Sequence, residues 1–186
     1  MSDVALPILS LEEITKMREA AALAAADHPY RPLLLEMALV GLSRYAIASL
    51  TMASFKRDVP GKLGGKPTVF KYAVVWSPGH NRTKTTRLSE AQWALAMSYL
   101  RWRQRDVYIK GPNLFVCKGK GDRAYWQAMK HERVRSEVRS IARDAYVGEK
   151  VEVPDLHRAM RNHLRLNGIP ENVIFDIYGD ERTVGK

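Results

Sequence analysis

The sequence predicts an α+β fold, mostly α-helical, with one small antiparallel β-sheet. Three observations carry that prediction. Apolar residues recur at helical spacing over most of the chain, as in Leu34, Leu35, Ala38, Leu39 and Leu42. Residues 68–76 are instead β-branched and aromatic, with Lys71 as their only charge, and the turn Ser77-Pro78-Gly79-His80-Asn81 follows them. The order is helices, hairpin, helices, which separates sheet from helices rather than alternating them. With 46% apolar residues in a chain of 186, there is enough to bury one core. We therefore expect one domain over residues 9–180, a short arm at 1–8 and a polar tail at 181–186.

Taken in order, Ser10-Leu11-Glu12-Glu13 is a capping box that opens a helix through Ile14, Met17, Ala21 and Ala24. Asp27-His28-Pro29-Tyr30 interrupts it. A second helix begins at Arg31 or Pro32, and a short third covers residues 46–50. Residues 57–67 carry Pro60, Gly61, Gly64, Gly65 and Pro67 and read as a loop. Residues 82–88 return the hairpin, with Arg82 and Lys84 on one face by alternation. Ser89-Glu90-Ala91-Gln92 is a second capping box, starting a helix that runs to about Trp102. Residues 107–109 and 114–117 form a short hairpin, and Lys118-Gly119-Lys120-Gly121 a basic loop. A long helix is expected over 123–145, striped by Val134, Val138, Ile141 and Ala145. After a loop at 147–153, Leu156, Met160 and Leu164 mark a helix that Asn167-Gly168 closes. Pro170 opens the last helix, with Val173, Ile174 and Ile177 facing inward.

The net charge is +10 and the pI about 9.8, so a polyanion is the expected partner, double-stranded DNA first. The lone Cys117 excludes a disulfide framework and a cysteine-rich zinc site. No histidine pair has ligand spacing, and there is no Gly-rich nucleotide loop and no Ser-His-Asp set, so no metal or cofactor is expected. The start has no basic n-region and no apolar run spans a bilayer. A reducing cytosol beside the bacterial nucleoid, without membrane contact, is the expected location.

The segment from Leu156-His157-Arg158-Ala159-Met160 through Asn167-Gly168 to Ile177-Tyr178-Gly179-Asp180 resembles the catalytic end of the tyrosine recombinase (phage integrase) family. There a His-x-Leu-Arg motif opens a helix, a glycine closes it about eleven residues later, and a second helix ends in Leu-Gly-His. Leu156, Met160, Gly168, Val173, Ile174 and Gly179 fall on the family's core and turn positions. Leu9-Ser10-Leu11-Glu12-Glu13, the Gly41-Leu42 helix pair, residues 68–89 and Asn113-Leu114-Phe115 follow in the family's order. The resemblance covers about residues 9–180 and implies a recombinase catalytic-domain fold that holds DNA.

The chemical positions of that resemblance are changed. Such enzymes cut with a tyrosine nucleophile while arginines, histidines and a hairpin lysine stabilise the phosphate. The first arginine falls on Ser43, beside Arg44, and the hairpin lysine near Gly79 or His80. The motif's histidine falls on Pro154 and its arginine on His157, beside Arg158. The last histidine falls on Asp180, and the tyrosine beyond Lys186. Tyr178 stands where the family has leucine and reads as core. The family's separate N-terminal clamping domain is also missing, so dimerisation is the expected substitute.

The residues expected to meet DNA form four groups. Arg44, His157, Arg158 and Arg161 would hold phosphate at a helix N-terminus. His80, Arg82, Lys84 and Arg87 crowd the hairpin. Lys118, Lys120 and Arg123 form the glycine-flanked loop. Lys130 and Arg135, with Arg133 and Arg139, line the long helix, where pairing with Glu132 and Glu137 is the competing fate. The expected function is a non-catalytic DNA-binding protein, a repressor-like regulator of a mobile genetic element. The alternatives are an accessory factor for an active recombinase, a homo-oligomer on DNA in either case, or a recombinase with shifted residues.

Overall fold

Helix α2 (Arg31–Leu39) is buried on nearly every side, and the fold is organised around it. Leu33, Leu34, Leu35, Met37, Ala38 and Leu39 are all within 1% of complete burial. A helix apolar all round can only sit at the centre of other elements, and α2 touches α1, α4, α5 and α6. The computed structural model describes residues 8–79, 82–106, 111–118 and 126–178.

Helix α1 (Leu11–Leu23) starts at the expected capping box, with the Ser10 hydroxyl and the Glu13 carboxylate satisfying each other's backbone N–H. Helix α3 (Arg44–Ser49) begins two residues before the expected start, capped by Ser43. Strands β1 (Phe55–Leu63), β2 (Lys66–Gly79) and β3 (Arg82–Arg87) make one antiparallel sheet in that order. Helix α4 (Glu90–Asp106) follows the second reciprocal cap, between Ser89 and Gln92. Strands β4 (Val116–Lys118) and β5 (Trp126–Ala128) pair as a small ribbon. Helices α5 (His131–Asp144), α6 (Val153–Leu166) and α7 (Glu171–Tyr178) complete the chain.

The structure departs from the sequence expectation at several places. Helix α4 runs to Asp106 rather than about Trp102, and β4 pairs with β5, while the expected partner strand at 107–109 lies outside the described residues. The expected loop at 57–67 is strand β1. Pro60 is tolerated because β1 is an edge strand, where a missing N–H leaves no ladder unpaired. Gly64 and Gly65, at φ 60° and 77°, form the two-residue turn joining Leu63 to Lys66. The expected long helix begins at His131, not near residue 123, because Trp126–Ala128 pairs with Val116–Lys118 and Met129 donates its N–H to the Phe115 carbonyl. Helix α6 starts at Val153, three residues before the first expected helical residue, with Pro154 in its first turn.

Candidate nucleic-acid interface

The sheet has two unlike faces. On one, Phe55, Phe70 and Val74 are buried against the helices, and Tyr72 stacks on Trp93 of α4 at 4.9 Å. On the other, Lys56, Ala73 and Arg87 lie side by side across the three strands, and Lys71 sits two residues before Ala73. Residues two apart share a face, so Lys56, Lys71 and Arg87 emerge as exposed cations from one side of the sheet, the Lys71 ammonium lying 5.0 Å from the Tyr72 ring centre. No ion pair is made by these three, nor by Lys62 and Lys66 near the β1–β2 turn, among the described residues. Only Arg87 of the five is foreseen from the sequence. The signal for the others was Gly64-Gly65 between two short runs, a hairpin turn that makes a strand of the segment before it.

The second cluster lies where α7 docks. The Arg161 guanidinium donates to the Tyr178 carbonyl at 2.9 Å and lies over the Tyr178 ring. The Lys84 ammonium donates to the Ile177 carbonyl, also at 2.9 Å, and the Tyr178 hydroxyl donates to the Leu39 carbonyl at 2.6 Å. Two cations thus meet the negative end of the α7 dipole, where unsatisfied carbonyls need donors. Gly41 makes room for this: at φ 97°, a Cβ there would stand 2.9 Å from the Ile177 carbonyl oxygen. His157 is 4% exposed, between this cluster and the Ala38 and Leu42 backbone. Burial first, and the neighbouring Arg161 second, push its pKa down to about 4, so the ring is neutral. Burial likewise lowers the Lys84 ammonium and raises the Tyr178 phenol from their ordinary values.

These placements change the expected phosphate site. His157 and Arg161 do not sit at a helix N-terminus, because α6 begins at Val153 and puts them in its second and third turns. Two of the N–H groups there are already met, because Glu152 and Asp155 form a reciprocal box, and Asp155 adds negative charge. Arg158 remains at the surface, 3.5 Å from Asp155. Arg44 is half-buried, with its guanidinium over the Tyr45 ring and donating to the Tyr45 hydroxyl at 3.1 Å.

The remaining expected residues divide. Arg82 begins β3 opposite Gly79. Lys84 is turned to α7 rather than to the open face. Lys118 is exposed at the end of β4, its ammonium over the Trp126 ring. Lys130 is exposed at the N-cap of α5, not on a helical face. Arg135 is paired, as its competing reading held, but with Glu152, which also takes Arg139. Glu137 takes Arg31 at 2.8 Å and Arg133 at 2.5 Å. His80, Lys120 and Arg123 lie outside the described residues, as do Gly179 and Asp180. Among the described residues, no group of three His, Cys, Asp or Glu side chains converges as metal ligands do, and no helix is long and apolar enough to cross a membrane.

A central buried helix, flanked by further helices and by one three-stranded antiparallel sheet, is a tyrosine-recombinase-like architecture. One solved structure that shows it is that of XerA recombinase, which matches with a TM-score of 0.69 at 19% sequence identity, over 97% of this chain and 57% of that one. At that identity the likeness is one of fold, and this chain spans a little over half of XerA's length. No protein-family model matches the chain, and no curated protein does.

Proposed function

We propose that this protein is a non-catalytic DNA-binding protein on a recombinase scaffold, acting as a repressor-like regulator of a mobile genetic element. The observation that carries the non-catalytic reading is the fate of the interior cations. Lys84 and Arg161 spend donors on α7 carbonyls, and His157 is held neutral. Groups that must neutralise charge building on a phosphate have to face it. Tyr178, the tyrosine of this cluster, is 7% exposed and donates its hydroxyl to backbone. A buried phenol with a raised pKa is a poor nucleophile.

The DNA-binding reading rests on the net charge, the recombinase-like fold and the unpaired cations of the open sheet face. Phosphate contacts of that kind fix position and orientation. The test is a gel shift with the protein's own operon promoter region across a salt series, beside a suicide DNA substrate that traps covalent intermediates. Expected are binding that weakens steeply with salt and no protein–DNA adduct. An adduct would overturn the non-catalytic reading. Binding absent, or indifferent to salt, would overturn the DNA reading.

A further inference from the structure

The cleft beside α7 is a second recognition surface. It has a volume of about 450 Å³, within the range of roughly 300–1,000 Å³ for clefts that take small molecules. Its walls are Met160 and Leu164 from α6, Val173 and Ile177 from α7, and Leu63 and Phe70 from the sheet. All but Phe70 are only partly covered, whereas side chains that simply fill a core close over one another.

The basic groups around this apolar interior are not all engaged. Lys62, Arg87 and Arg18 line it. Arg18 is held by Glu36 at 2.6 Å, but Lys62 and Arg87 are exposed and have no ion partner among the described residues. The acid of the lining, Asp176, is turned to the Gly65 N–H at 2.9 Å. We propose that the cleft binds a small amphipathic anion: an apolar chain or ring seated between α6, α7 and β2, with a carboxylate or sulfonate reaching Lys62 or Arg87 at its rim. The apolar walls disfavour a fully polar ligand, and the two cations without an ion partner disfavour a positively charged one. This proposal stands apart from the DNA reading. It shares Arg87 with the open sheet face, but its recognition element is the apolar cleft.

The experiment titrates the full chain with anilinonaphthalenesulfonate and then competes it with decanoate or decyltrimethylammonium. Expected are saturable one-site binding, displacement by decanoate, and none by the cation. Val173→Phe and Leu164→Phe, which fill the cleft, should each weaken binding about tenfold or more while melting cooperatively. The surface pair Lys62→Glu and Arg87→Glu should weaken decanoate and decides the matter should both filling variants unfold. Unsaturable binding, equal displacement by the cation, or affinity unchanged in these variants overturns the proposal. Sedimentation showing a dimer that excludes the dye would give the cleft to a second copy of the chain and overturn it as well.

Discussion

The α5 wall and the three-stranded sheet are both rich in cations, and the two use them in opposite ways. On α5 and its neighbours, Arg31, Arg133, Arg135 and Arg139 each end on a carboxylate, either Glu137 or Glu152. On the sheet, Lys56, Lys71 and Arg87 lie on one face and end on no carboxylate among the described residues. The difference teaches that charge count alone does not single out a surface, because the fold pairs some cations and leaves others open. Burying a cation requires a partner, so the buried Arg31 is structural; Arg133, Arg135 and Arg139 are half-exposed and paired at the surface, while the sheet's cations remain open to a ligand that is itself anionic.

The sharpest way to break this contrast is to unpair the wall. Glu137 is 2% exposed and holds Arg31, itself 6% exposed. Glu137→Ala leaves a buried guanidinium with Asp144 and Ser140 as its remaining partners, and should cost about 3–5 kcal/mol in urea denaturation. Replacing both partners, Arg31→Met with Glu137→Leu, should recover most of that loss. A single variant as stable as the parent would show that the pair is not structural.

His157 gives the next largest effect. Its folded pKa, about 4, lies below the ordinary value of 6.5. Between those two pH values the unfolded chain takes up a proton that the folded chain refuses. Stability from this group is therefore full above pH 6.5 and falls as pH drops toward 4, by about 3 kcal/mol in all. Denaturation at about pH 7 and about pH 4.5, either side of most of that titration, should show His157→Gln losing much less stability on acidification than the parent does. Equal losses would place the acid sensitivity elsewhere.

The scaffold was more legible in the sequence than its chemistry. Both serine capping boxes, the Asn167-Gly168 helix end and the buried stripe of α2 are local patterns, readable because capping and helical periodicity involve residues three or four apart. Strand β1 was hidden because Pro60 and Gly61 resemble a loop until β2 is known to lie alongside. Gly61 is required there by the Phe70 ring, 2.2 Å from where a Cβ would stand, and no neighbour in sequence announces that. The fates of Lys84 and Arg161 depend on α7, 93 and 17 residues away. Their type could be read as cationic, but not what they would touch.

On the sheet, Lys56→Gln, Lys71→Gln and Arg87→Gln together should lower DNA affinity at moderate salt by roughly tenfold or more. They should also flatten the dependence of log affinity on log salt, by about 0.9 for each phosphate no longer neutralised. Stability should hardly move, since none of the three has an ion partner to lose. Affinity unchanged in the triple variant would remove the sheet face from the interface.

The smallest effect separates the two regions most cleanly. Glu152 holds Arg135 and Arg139, side chains that are 43% and 39% exposed. A pair so open to water contributes no more than about 1 kcal/mol. Glu152→Gln keeps an oxygen for the α6 cap, so stability should fall by less than that. What it changes is charge, since two arginines on α5 lose their carboxylate and become as unpaired as the sheet's cations. Were α5 the DNA-facing element, affinity should rise several-fold and its salt dependence steepen. With the sheet as that element, both should stay within about twofold of the parent, leaving only the screened long-range gain of one charge. The sheet predicts the second outcome, so a steepened salt dependence in this variant would move the interface to α5.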